Sequence, residues 1–104
     1  MKKIDDSVMT VGTKNIFADL GFAPAEARNL WMRSELMMAL RKFVKKEGLA
    51  EAEAALRSQV PQPRISDLMR GKINRFSLDT LVAMSTMAGM EVDLRIRMKP
   101  RRVA

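Results

Sequence analysis

The chain contains no cysteine, no histidine and no tyrosine. Without cysteine there is no disulfide, no thiolate nucleophile and no thiolate-held metal. Without histidine the commonest general base and the commonest metal ligand are both missing. Catalysis would rest on carboxylates, lysines and serines alone, and no cluster of these stands out. No catalytic residue, metal site or cofactor is therefore expected, and the chain is read as a non-enzyme. Long apolar runs are missing too. The longest, Leu36 to Leu40, has five residues, against the roughly 20 that a membrane helix needs. Lys2-Lys3 is followed by Asp5-Asp6 and not by an apolar stretch. No secretory leader is expected, and a cytoplasmic setting is the default.

What is present suits one small domain. There are 104 residues, 47% of them hydrophobic, enough for a single core. The net charge is +7, and it is uneven. Residues 1–63 carry ten Lys and Arg against eight Asp and Glu, whereas residues 64–104 carry nine against four. A basic surplus gathered in the second part fits a polyanion partner. A basic protein that is merely soluble has the same balance, so charge alone decides nothing.

Residues 1–14 are polar and irregular and read as a flexible arm. Asn15–Phe22 sets Ile16, Phe17, Leu20 and Phe22 around an Asp and stops at Gly21. It reads as one helical turn, either an apolar flap over the core or a partner-docking tag, with the flap preferred. Pro24 opens a long helix that runs to Glu47 and ends at Gly48. Leu36, Met37, Leu40, Phe43 and Val44 form its buried stripe, and Ala27, Trp31, Ser34 and Met38 a second one. A short helix from Leu49 to Arg57 would turn Ala52, Ala55 and Leu56 inward. Pro61 and Pro63 then enforce a break.

Gln62 to Lys72 is the most informative stretch. Pro63 suits a first helical turn. Ile65, Leu68 and Met69 share one face, leaving Gln62, Arg64, Ser66 and Asp67 on the other. Gly71 ends the helix, and Lys72, Asn74 and Arg75 follow at once. Phe76 is an apolar plug. Ser77 caps a last helix that buries Leu78, Leu81, Val82, Ser85 and Ala88 and ends at Gly89. From Glu91 to Lys99, Val92, Leu94, Ile96 and Met98 alternate with charged residues, which is the period of a strand. A single strand needs a partner. The same strand of a second copy, antiparallel across a two-fold axis, is preferred over residues 4–11 of the same chain. Burying four such side chains in each copy is worth on the order of 5–10 kcal/mol as an upper bound.

Long helix, short helix, tight turn, polar-tipped helix, loop, helix and strand is the order of a helix-turn-helix domain. Gln62 to Lys72, followed by Phe76-Ser-Leu-Asp-Thr-Leu81, resembles the recognition helix and following helix of the Xre/Cro superfamily. With Asn15 to Gly21 ahead and Val92 to Met98 behind, the chain resembles the HigA-type antitoxins and related regulators, over roughly residues 15–98. The resemblance implies a mainly α, lambda-repressor-like bundle of four to five helices with one C-terminal β-strand pairing in a dimer. Residues 15–99 would be the DNA-binding domain with its dimerisation strand (Val92, Leu94, Ile96, Met98), and 100–104 a basic tail.

The resemblance further implies that the helix at Gln62 lies in the major groove of double-stranded DNA. Gln62 would read a base through its amide, Arg64 a base or a phosphate, and Pro63 a thymine methyl. Ser66, Arg70, Lys72, Asn74 and Arg75 would sit near the backbone. Asp67 would accept from a cytosine amine or repel phosphate. The expected function is a homodimeric repressor on a palindromic operator, as the antitoxin of a pair whose toxin is a small RelE/HigB-like protein. Ile16, Phe17, Leu20, Phe22 and Trp31 are the candidate toxin-facing residues. The alternatives are a protein-interaction and dimerisation module, served by a Met-rich surface including Met37, Met38, Met84 and Met87, and a stand-alone repressor with no toxin. Four positions depart from the family pattern: Ala50-Glu51 stands where Thr-Gln is usual, and Gln59 and Pro61 stand where the turn has a Gly and a Ser or Thr cap.

Overall fold

Local stop signals divide the chain into helices. The computed structural model describes residues 16–98 and Pro100. The expected arm over 1–14 falls outside them, as does the tail beyond Pro100. Among the described residues there are five helices: α1 (Ile16–Asp19), α2 (Pro24–Lys46), α3 (Glu51–Ser58), α4 (Gln62–Met69) and α5 (Leu78–Met87), with a 3₁₀ turn at Ile73–Arg75 between the last two. The mainly α bundle matches the expectation. Pro24 stands at the start of α2 and Pro63 in the first turn of α4, where a missing N–H leaves nothing unpaired. Ser77 caps α5 by accepting from the Thr80 N–H at 3.1 Å.

Each helix ends in the same way. The N–H two or three positions past the end reaches back five residues to a carbonyl in the last turn, as from Leu49 to Val44, Val60 to Ala55, Lys72 to Asp67 and Met90 to Ser85. This closure needs a left-handed residue one position earlier. Glycine supplies it after α1, α2, α4 and α5, and Gln59 supplies it after α3, at φ 57°.

The core is one cluster. From α2 it takes Ala27, Leu30, Met37, Leu40 and Val44; from α4, Ile65 and Leu68; from α5, Leu81 and Met84, closed by Ile73, Phe76 and Phe17. α2 packs on α5, α1 and the 3₁₀ turn, while α3 packs on α4 and α5. Leu30 was not among the expected core residues and is buried, whereas Leu36, Trp31, Met38 and Phe43 pack against the core without being enclosed. The flap forms as preferred: Phe17 is fully buried and meets Phe22 edge-on at 6.3 Å.

Two expectations are corrected, and a third is not met within the single chain. Leu56 does not face inward; it is 80% exposed, and α3 buries Ala54 and Ser58 beside the expected Ala55. Ala52 is exposed as well. On a helix of eight residues the apolar positions allow two phases, and close approach to α4 selects the small residues. Met37 and Met84 line no Met-rich surface, because both are enclosed in the core, while Met87 is exposed. The C-terminal strand is not formed within the chain. Residues 91–98 run as irregular, exposed chain beyond α5. The helical bundle offers no sheet edge for their N–H and C=O groups, and an unpaired strand has nothing to hold it. The alternative partner, residues 4–11, lies outside the described residues.

Candidate nucleic-acid interface

α3 and α4 are adjacent helices joined by the short turn Gln59–Pro61. Val60 closes back on Ala55 and is half-buried. Pro61 precedes α4 with no side-chain cap, so α4 begins on backbone geometry alone. Ile65 and Leu68 are fully buried and anchor its inner face. Gln62, Pro63, Arg64 and Arg70 are exposed, and Ser66 and Asp67 are half-buried.

Seven of the nine expected contact residues meet at one place. Gln62, Pro63, Ser66, Asp67, Arg70, Lys72 and Arg75 line an open concavity of about 470 Å³ on the outer side of α4. Three of the seven are cations and one is an anion. Gly71 makes this possible: it is buried, at φ 70°, and its left-handed turn swings Lys72 and Arg75 beside the helix rather than beyond it. Arg64 lies outside this group. Its guanidinium donates to the Arg75 carbonyl at 2.8 Å and sits 5.8 Å from the centre of the Phe76 ring. Asn74 is exposed on the 3₁₀ turn.

Polar side chains on this face already have partners. The Ser66 hydroxyl lies 2.6 Å from Glu51 Oε1, joining the start of α3 to the middle of α4. Arg75 pairs with Asp67 at 3.2 Å. The Glu51 departure thus has a local consequence: its carboxylate accepts the hydrogen bond that the Ser66 hydroxyl donates. Gln59 keeps the turn in the form a glycine would give, at the steric cost of a side chain in the left-handed region.

Arg33 is the residue that sequence reasoning missed. From the middle of α2 its Nη1 donates to the carbonyls of Ile73 (3.2 Å) and Phe76 (3.1 Å), and its Nε donates to Asn29 at 2.7 Å. One guanidinium therefore pins the loop that carries Asn74 and Arg75. Burial pushes its pKa below the usual arginine value, and Glu26 partly offsets this. A guanidinium still keeps its proton at any ordinary pH. No local signal marks this role, because the acceptors are backbone atoms 40 or more positions away.

The candidate toxin-facing residues sit apart from this face. Phe17 is enclosed, and Ile16, Leu20, Phe22 and Trp31 are half-buried against the core. Arg28 lies 5.7 Å from the centre of the Trp31 ring. Val92, Leu94, Ile96 and Met98 are all exposed, increasingly so toward the end, from 40% at Val92 to 91% at Met98. Among the described residues no helix is long and apolar enough to cross a membrane.

A family model described as a helix-turn-helix domain matches residues 16–97. Among solved structures, a chain described as an XRE family transcriptional regulator is similar at 30% identity and a TM-score of 0.67, covering 76% of this chain and 89% of that one. No curated protein matches.

Proposed function

Because the chain belongs to the XRE-type helix-turn-helix family of transcriptional regulators, we propose that it is a homodimeric repressor that reads a palindromic operator with α4. The observation that carries this reading is the composition of the α4 face. Amide and hydroxyl groups on one short helix share an open concavity with Arg70, Lys72 and Arg75, while Ile65 and Leu68 fix that helix to the core. A short helix with polar groups at its exposed start fits a major groove, and flanking cations fit phosphates. Gln62 is the candidate for adenine and Arg64 for guanine or phosphate. Pro63 is the candidate for a thymine methyl. Ser66, Arg70, Lys72, Asn74 and Arg75 are assigned to the backbone, and Asp67 to a cytosine amine. Two copies joined through residues 92–98 would set two α4 helices roughly 34 Å apart, one turn of DNA.

The finer reading, that the protein is an antitoxin repressing its own operon, rests on the resemblance to the HigA-type regulators. A gel shift on the protein's own upstream DNA, over a salt series, tests the DNA part. A specific shift on a palindrome, weakening steeply with salt, is expected. Equal binding to unrelated DNA would remove the operator reading. Co-expression with the neighbouring gene tests the antitoxin part: relief of a growth arrest supports it, and no arrest to relieve leaves a stand-alone repressor. One observation favours a second reading, a protein-interaction module. Glu51 holds the Ser66 hydroxyl and Asp67 holds Arg75, so two of the proposed backbone contacts begin engaged. Failure of any DNA shift at low salt would select it.

A further inference from the structure

We propose that residues 90–98 of two copies pair antiparallel in one register only, centred on Leu94. The inference deepens the dimer just proposed and rests on it. In an antiparallel pair of identical strands, directly opposed residues point to the same face. The even-numbered apolar face therefore stays whole only in registers that oppose apolar to apolar and charged to charged. Within that set the charges choose. Centred on Leu94, Glu91 faces the partner's Arg97 and Asp93 faces the partner's Arg95, and two-fold symmetry repeats both pairs. No like charges meet.

Every neighbouring register is worse. Centred on Arg95, that residue opposes its own copy. Centred on Asp93, two carboxylates meet. Centred on Ile96, Arg95 faces the partner's Arg97 twice. Like charges directly opposed destabilise a sheet pair, and opposite charges stabilise it. The apolar face agrees. Leu94 meets the partner's Leu94, and Val92 meets the partner's Ile96. Met98, the most exposed of the four at 91%, lands on the partner's Met90. Met90 is half-buried and packs against the core. The far end of each strand, exposed in the single chain, is thus seated on the edge of the other copy's core.

The absence of cysteine makes the register directly readable. Leu94→Cys places a thiol where the two copies face each other, within reach of a disulfide. Arg95→Cys and Ile96→Cys place it away from its own counterpart. Under mild oxidation, L94C should run as a covalent dimer on a non-reducing gel while R95C and I96C remain single chains. Cross-linking of R95C or I96C in preference to L94C would overturn the register and leave the dimer standing. A monomeric unmodified protein in light scattering would remove the dimer itself. A second measurement uses charge. Asp93→Arg and Arg95→Asp should each weaken self-association by about tenfold, and the two variants mixed should form a heterodimer in which every pair is complementary. Equal association of all three combinations would overturn the register. These side chains are exposed in the single chain, so circular dichroism should show both variants folded.

Discussion

The face around α4 and the segment after α5 are opposites in how they treat polar and apolar groups. On the α4 face the chain satisfies itself: Ser66 is bonded to Glu51, Arg75 to Asp67, Arg64 to the Arg75 carbonyl, and Arg33 to the carbonyls beneath. Over residues 91–98 the chain does not satisfy itself in this way. Its backbone is unpaired in any helix or sheet, and Leu94, Ile96 and Met98 stand in solvent. A ligand for the first region must compete with contacts already made. A partner for the second competes only with water. The first arrangement favours discrimination, since each contact must be better than the one it replaces. The second favours strength of association.

Four substitutions break or sharpen this contrast, from the largest expected effect to the smallest. Ile96→Asp puts a charge into the unpaired apolar face. It should yield monomers in light scattering and lower operator affinity by roughly 10²-fold or more, as the two half-sites cease to act together. A dimeric I96D protein would show that the segment is not the interface. Arg33→Met leaves the Ile73 and Phe76 carbonyls without their charged donor. A loss of about 2–3 kcal/mol is expected, read as a melting temperature lower by roughly 10 °C or more. Hydrogen exchange should quicken over residues 73–76 and stay unchanged over 91–98. Quickening in both regions would mean that they are coupled.

Arg64→Ala should weaken binding to the specific site by about 1–3 kcal/mol while hardly changing binding to random DNA. An unchanged site preference would take base reading away from Arg64. Gln59→Gly relieves a side chain held in the left-handed region and should stabilise the fold by about 0.5–1 kcal/mol. A drop in melting temperature would show that the Gln59 side chain contributes more than its strain costs.

The helices were legible because their signals are local. Pro24, Pro63, Ser77 and the glycines at 21, 48, 71 and 89 act within a few residues of themselves, and the ends they mark are close to those observed. The gathering of seven of the expected contact residues around one concavity was legible from helical spacing and from Gly71. The partners of those residues were not. Spacing places Arg75 and Asp67 near one another but does not say that they pair, and nothing near Arg33 announces acceptors on a distant loop. Leu56 was misplaced because a helix of about two turns has too few positions to fix its phase. The strand was anticipated from alternation, which is a property of one segment, whereas a strand is a property of two.

The shared way in which the helices end also bears on how the chain folds. Each closing bond joins residues five apart, so every helix boundary can form before any distant part of the chain arrives. Helical bundles built from such near-neighbour contacts fold in microseconds to milliseconds. Among the described helices, the turn after α3 is the one boundary where a residue with a side chain must cross into the left-handed region. The two helices proposed to meet DNA are therefore joined at the step of folding most sensitive to a single dihedral angle.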